Sequence, residues 1–281
     1  MRVAEYGPSR RADLADLTAR VWGRRPDEAE LEWFFEHNPV RAASVLLGEE
    51  DDRVVASVAI SFQRMTLQGR ELEVGTAVRL ATDPAYRGRG RFTELQSANE
   101  ERVRELGVPV LLTVPTPASA RVLLGRLGWT ALPPLRVWAR LHVLPARLHA
   151  RRVDRFERTP GRNGGVWHDR VLRDAGWLRW RFADAPTPYT LLERDGYAVV
   201  GTRGRIGVVA AVEGEDDLLV DAAAAARRPL LVAAPPPWER SRYLRAGFLP
   251  TPRTFTLLGK SLDGTPLPAR PHLELGDLDF L

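Results

Sequence analysis

Two stretches of the chain repeat each other, and this limits the fold to two copies of one unit. Leu31, Trp33, Phe35 and Pro39 recur as Leu178, Trp180, Phe182 and Pro186, at an offset of 147. Leu111, Leu112, Pro117, Arg121, Arg126 and Gly128 recur as Leu230, Leu231, Pro236, Arg240, Arg245 and Gly247, at an offset of 119, with Trp129 answered by Phe248. The order is preserved, and the fall in offset means that the second copy lacks 28 residues between the two markers. That is about the length of the segment from Thr82 to Gly107. The second copy is therefore expected to keep the sheet and to drop that segment.

Hydrophobic periodicity gives each copy its class. RVAEYG reads as a short strand, and RADLADLTARVW carries Leu14, Leu17 and Val21 at helical spacing. ELEWFFEHNP is a second short helix stopped by Pro39. Three strands follow, ASVLLGEE, RVVASVAISFQRMTL and RELEVGTAVRLAT. In the last, Leu72, Val74, Thr76, Val78 and Leu80 alternate with Glu73, Gly75, Ala77 and Arg79. Phe92, Leu95, Ala98, Val103 and Leu106 share a helix face, VPVLLTV is a buried strand, ASARVLLGRL a helix ending at Gly128, and LRVWARLHVL a strand. The class is α/β. Residues 158–165, RTPGRNGG, read as a linker, so domains are expected at 1–157 and 166–260, with a tail over 261–281.

Composition removes several functions. The absence of cysteine excludes disulfides and thiolate metal sites. Five histidines without close spacing give no reason to expect a metal, and His168 beside Asp169 reads as a surface turn. No run of about 18 apolar residues is present, and the N-terminus turns charged before any apolar stretch of signal length, so a soluble, cytoplasmic protein without a membrane partner is expected. The net charge of +5 comes from arginine, with Lys260 the sole lysine, and acids are interleaved throughout. A polymer site needs a continuous basic stripe, so no nucleic-acid partner is expected. No Gly-x-Ser-x-Gly elbow supports a hydrolase.

What remains is ATDPAYRGRGRF, residues 81–92, joining a strand to a helix. A helix start presents backbone N–H groups without intrahelical partners, and the helix dipole adds to their pull on an anion. Gly88 and Gly90 keep Cβ atoms away from an approaching phosphate, while Arg87, Arg89 and Arg91 add guanidinium charge. Neither the P-loop spacing nor the three-glycine dinucleotide pattern is present.

The stretch from VRLATDPAYRGRGRF to LLGRLGW resembles the core of the GNAT acetyltransferases, whose signature, Arg/Gln-x-x-Gly-x-Gly/Ala, reads here Arg87 to Phe92. The two-copy layout resembles tandem GNAT proteins such as the enhanced-intracellular-survival acetyltransferases, without their additional C-terminal domain. The resemblance implies a tandem GNAT fold, a mixed central sheet flanked by helices, with a shortened second copy lacking the phosphate loop. It implies acetyl-CoA as acyl donor, no metal, and a small-molecule or peptide amine as acceptor. Main-chain groups of Leu80, Ala81 and Thr82 would meet the pantetheine arm. Those of Arg87, Gly88, Arg89, Gly90, Arg91 and Phe92 would hold the pyrophosphate, with Ser119 a further contact. A backbone N–H near Leu80 would hold the developing oxyanion.

The pattern departs from the family at three places. Phe92 stands for the second glycine or alanine, Thr116 for the asparagine of a Pro-Asn-Pro segment, and Leu124 for a tyrosine acid whose counterpart in the second copy is Tyr243. Tyr243, without a phosphate loop, reads as a structural relic. For a general base the sequence offers Glu73, near Glu71, and the tail carboxylates Asp277 and Asp279, near Glu274. Exposed strand-edge charges and a frayed tail are the competing readings. Trp22, Trp33 and Trp180 could line an acceptor cleft or pack in the core. A non-catalytic acyl-CoA-binding or regulatory GNAT-like protein is the alternative function, and a nucleic-acid-associated protein is a second one from a different class.

Overall fold

In the computed structural model, residues 1–141, 147–157 and 169–278 are described. They divide into two compact units. The first comprises Met1–Arg64, Leu72–Leu132 and Leu257–Leu267. Its elements are β1 (Arg2–Glu5), α1 (Arg11–Trp22), α2 (Glu28–Phe35), β2 (Ser44–Glu50), β3 (Arg53–Leu67), β4 (Arg70–Thr82), α3 (Arg91–Glu105), β5 (Val110–Thr113), α4 (Pro117–Arg126) and the start of β6 (Thr130–Leu141). Local chemistry sets the helix ends. Asp27 accepts from Glu30 N at 2.8 Å to start α2, Gly23 stops α1 in the left-handed region at φ 74°, and Pro117 opens α4 where no N–H is needed.

The sheet of this unit runs β1-β2-β3-β4-β5. β1 and β3 pair antiparallel with β2, whereas β4 and β5 run parallel. It is completed not by β6 but by Leu258–Ser261, which pair antiparallel with Val110–Thr113 of β5. Ile60, Phe62, Leu111, Leu123, Trp129 and Leu258 form the core between this sheet and its helices. Lys260 fixes the added strand: its Nζ donates to Glu100 Oε2 at 2.5 Å and to Leu127 O at 2.6 Å. Glu100, 3% exposed, also accepts from Trp129 Nε1 at 2.8 Å and Gln96 Nε2 at 3.0 Å. A buried carboxylate needs such partners.

The second unit comprises Met65–Glu71, the described residues from Pro133 to Thr256, and those from Pro268 onward. It holds most of β6, then β7 (Arg151–Val153), β8 (Arg170–Val171), α5 (Ala175–Leu178) with a π turn over Arg179–Ala183, β9 (Thr190–Glu193), β10 (Gly196–Arg203), β11 (Ile206–Gly214), α6 (Asp217–Ala226), β12 (Leu230–Ala233), α7 (Arg240–Arg245) and the first part of β13 (Leu249–Ser261). Its strand order is β13-β6-β12-β11-β10-β9-β7, with β11 and β12 parallel and β6 antiparallel to β12. The parallel pair β11–β12 repeats β4–β5, and each copy's sheet is finished by the last strand of the other copy's sequence. The fold therefore follows the repeat, with the closing strands exchanged. The expected boundaries at 157 and 260 give way to a passage at Leu132/Pro133 and a division of β13 at Thr256/Leu257.

One expectation is corrected. The second copy drops the loop but keeps the helix: only Glu215 and Asp216 separate β11 from α6. The deficit is spread over shorter elements, with β9, β10 and β11 of 4, 8 and 9 residues against 7, 15 and 13 in β2, β3 and β4. Helix α6 survives because Leu218, Leu219, Ala222, Ala223, Ala225 and Ala226 are all in the core, and a unit without that face would leave its sheet wet. The 158–165 linker and the end of LRVWARLHVL, from residue 142, lie outside the described residues.

Residues 272–278 are docked, not frayed. All are buried, Gly276 N donates to Ala210 O at 2.8 Å, and Arg181 donates to the carbonyls of Gly276 and Leu278 at 2.8 and 2.9 Å.

Candidate functional site

The site begins where β4 leaves β5. Their parallel pairing covers Val74–Thr76 against Val110–Leu112, and the Thr113 hydroxyl then donates to the carbonyl of Ala77 at 2.8 Å. Arg79 follows in the left-handed region, at φ 48°, a costly conformation for a residue with a Cβ. The strain is held by contacts of its side chain. The guanidinium lies 4.0 Å over the Phe34 ring and donates to Glu30 Oε1 at 3.1 Å. Beyond this kink come Leu80, Ala81 and Thr82. Leu80 and Thr82 line a cavity of about 810 Å³, and Ala81 is buried against the core side.

The strand end is anchored as well. Asp83 N donates to Val55 O at 2.8 Å, and the Asp83 carboxylate caps a 3-10 turn over Pro84–Tyr86 by accepting from Ala85 N. Arg20 Nε donates to it at 2.7 Å. Burial pushes the Asp83 carboxyl up, but Arg20, the Ala85 N–H and Arg53 outweigh it and hold the group below its ordinary value. Gly88 and Gly90 both stand at φ 77°, with nothing within 4 Å of where a Cβ would lie. Gly90 is the residue before α3, and Glu94 N is the first amide bonded back to its carbonyl, at 3.0 Å. The cavity thus opens on the start of a 15-residue helix, with Gly88, Gly90, Arg91, Phe92 and Thr93 in its wall. Two unhindered glycines before a long helix make room for a phosphate at the main chain.

The loop arginines do something other than the sequence suggested. Arg87 Nε donates to Thr82 O at 3.2 Å, Arg89 sits 5.3 Å over the Tyr86 ring, and Arg91 is ion-paired with Glu50. These side chains brace the loop. The cavity's other cations, Arg121 and Arg126, come from α4, are exposed, and have no ion pair among the described residues. They belong to the repeated pattern, but only the packing of α4 shows that they face the same space as the glycine loop.

The departures have structural answers. Phe92 packs its ring against the two cores flanking α3, so its bulk is absorbed. Thr116 caps α4, accepting from Ser119 N at 3.3 Å, with its hydroxyl 3.2 Å from that of Ser119; both line the cavity. Leu124 is 43% exposed and provides no acid. Tyr243 is buried in the second unit, edge-on to Phe248, and burial holds its phenol far above the ordinary value. In place of the phosphate loop stand Glu215 and Asp216, with Asp217 opening α6, and acids at a helix start repel a phosphate.

The proposed bases are not gathered at this cavity. Glu73 accepts from Arg41 Nε at 2.8 Å and lies seven residues before Leu80 on β4, roughly 20 Å away at the rise of a strand. Glu71 is exposed. Asp277 is buried in the second unit, gripped by Arg173 at 2.8 and 2.5 Å, and Asp279 lies outside the described residues. Among the described residues lining the cavity none is a carboxylate, and Tyr86 is the one phenol. Sequence reading missed Glu30, 8% exposed, which takes a fork from Arg24 at 2.6 and 2.7 Å besides its bond from Arg79. The Asp27-x-x-Glu30 spacing signals a helix start, but nothing local links it to Arg79. Of the tryptophans, Trp33 and Trp180 are buried, whereas Trp22 is 50% exposed and lines the cavity.

Among the described residues no group of His, Asp or Glu could hold a metal ion, and no helix is long and apolar enough to cross a membrane.

Comparison with known proteins bears on the family and the fold. Residues 2–132 match the family model of the acetyltransferase (GNAT) domain. No curated protein matches the chain. Among solved structures, the chain is similar to a GCN5-related N-acetyltransferase from Kribbella flavida, with 17% identity and a TM-score of 0.65, over 93% of this chain and 72% of that one. Eis1 from Mycobacterium abscessus aligns at 14% identity and a TM-score of 0.62, over 94% and 74%. A tandem GNAT protein from the clavulanic acid biosynthesis pathway aligns at 12% and 0.58, over 94% and 99%. At these identities the likeness concerns the fold, and it is that of tandem GNAT proteins.

Proposed function

We propose that the chain is an acetyl-CoA-dependent N-acetyltransferase whose first unit binds the donor and passes its acyl group to the amine of a small molecule or peptide. One observation carries this: the β4 end, freed from β5 by the Arg79 kink, leads through two open glycines into the start of α3, along one cavity of about 810 Å³. The residues present fit the donor. Main-chain groups of Leu80 to Thr82 suit an amide-bearing arm, amides of Arg87 to Phe92 suit a pyrophosphate, and Arg121 and Arg126 suit a further phosphate. Acetyl-CoA supplies a thioester; the amine forms the C–N bond as the C–S bond breaks and the thiolate leaves.

The main chain at Leu80 holds the carbonyl oxygen as negative charge develops. Glu30 and Arg79 position that main chain and do not touch the reacting atoms. Among the described residues lining the cavity none is a carboxylate, so in this reading the amine's proton leaves to water, and the thiolate departs without an acid at Leu124.

Leu124 and the lack of a lining carboxylate favour a second reading, an acyl-CoA-binding module without turnover. Calorimetric titration of acetyl-CoA, followed by a thiol-release assay over a panel of amines, tests both. Micromolar binding abolished by Gly90→Asp, with amine-dependent thiol release, supports the enzyme. Binding without release supports the module. No binding to the folded protein ends both.

A further inference from the structure

A second cavity, of about 440 Å³, opens in the second unit. Its walls come from the start of β6, the segment between β12 and α7, β13, and the residues leading into the docked tail. Three guanidinium groups line it, Arg136, Arg240 and Arg270. All three are exposed, and none has an ion pair, hydrogen bond or ring contact among the described residues. Their neighbours on α7 behave otherwise: Arg242 pairs with Glu239 at 3.2 Å and Arg245 with Asp216 at 2.6 Å. Three like charges around one concavity repel each other, and an anion between them relieves that cost.

We infer that this cavity is a binding site for a small organic phosphate, a phosphate monoester with a flat apolar body. The choice of phosphoryl over carboxylate follows from counting. A phosphate monoester carries nearly two negative charges near neutral pH and three acceptor oxygens, against one charge and two oxygens for a carboxylate. Three guanidinium forks match the former. The apolar body follows from the walls, where prolines at 133, 134, 235, 236, 237 and 271 meet Leu135 and Leu273. Proline has no N–H to offer and a fixed φ, so these walls are rigid and poor in donors. The size falls within the range of small-ligand sites.

The repeat supports the assignment independently. Arg240 is the counterpart of Arg121 at the offset of 119, and each lines the cavity of its own unit. Glu215 and Asp216, at the start of α6, do not line this cavity, and a phosphate in it is received by the side chains of Arg136, Arg240 and Arg270. The inference does not depend on acetyl-CoA binding in the first unit.

Phenyl phosphate, inorganic phosphate and benzoate are each titrated calorimetrically into the wild-type chain and into Arg240→Ala, Arg270→Ala and Arg205→Ala variants, Arg205 being an exposed arginine of the second unit that lines neither cavity. All three substitutions remove exposed side chains, and circular dichroism melts verify folding. The expected result is binding in the order phenyl phosphate, inorganic phosphate, benzoate, weakened about tenfold by each of Arg240→Ala and Arg270→Ala and unchanged by Arg205→Ala. Affinity falls as salt rises. Arg240→Lys, which keeps the charge without the fork, recovers part of the loss. Binding that survives the loss of Arg240 and Arg270, or that is weakened as much by Arg205→Ala, would place the phosphate elsewhere and overturn the inference. So would tighter binding of benzoate, or no binding to a folded wild type. Because only the Arg240 and Arg270 variants bear on this cavity, a protein that fails to bind acetyl-CoA leaves the result readable.

Discussion

Lys260 is the place to test how the first unit is closed. It stands on the strand that completes that unit's sheet, and its ammonium joins Glu100 to the carbonyl of Leu127. Lys260→Met keeps the length and apolar stem of the side chain but removes the charge. Glu100 then remains as a carboxylate 3% exposed, with only Trp129 and Gln96 to satisfy it. Breaking a buried pair costs about 3–5 kcal/mol. The Lys260 side chain is itself 21% exposed, so water returns part of the loss and about 2–3 kcal/mol is the better figure. In a unit of this size that lowers the midpoint by roughly 5–10 °C. Urea and thermal unfolding followed by tryptophan fluorescence read it, since Trp129 donates to the same carboxylate. Adding Glu100→Gln recovers at least half of the loss, because the stranded charge is gone. A single variant costing under about 0.5 kcal/mol, or a double variant worse than the single, would refute this account of the strand's attachment.

Three further outcomes follow. Gly90→Ala strains a left-handed residue without any clash, so it costs about 1 kcal/mol of stability and only modestly weakens acetyl-CoA, whereas Gly90→Asp abolishes binding in the same titration. Arg79→Ala removes the contacts with Phe34 and Glu30 and relaxes the kink, so acetyl-CoA binding weakens about tenfold while the melting temperature moves little; an unchanged dissociation constant would rule out the positioning role. Burial raises the Glu274 carboxyl to about 8 against the pull of Arg173. The folded form therefore holds the proton more tightly than the unfolded chain, and the associated stability is fully present below the ordinary carboxylate range and lost as pH rises through about 8. Limited proteolysis of the tail at pH 6 and pH 9 shows it releasing at the higher pH, and Glu274→Gln flattens the difference.

The sequence by itself determined the class, the duplication and the position of the glycine loop between β4 and α3. These are local or periodic properties: alternation in β4, an apolar face on α3, and glycines where the φ of 77° excludes other residues at low cost. The tertiary structure decided how the copies are closed. β6 and β13 have the pattern of any closing strand, and nothing in an alternation of side chains names the partner sheet. It decided that α6 survives, since an alanine-rich face reads as a helix only once β10 and β11 are there to cover it. It also decided which arginines are spent. Arg87, Arg89 and Arg91 look available in the sequence, yet Thr82, Tyr86 and Glu50 engage them, while Arg121, Arg126 and Arg240 are left facing cavities. A charge takes its role from what folding brings within a few ångströms of it, and that neighbourhood is assembled from residues far apart along the chain.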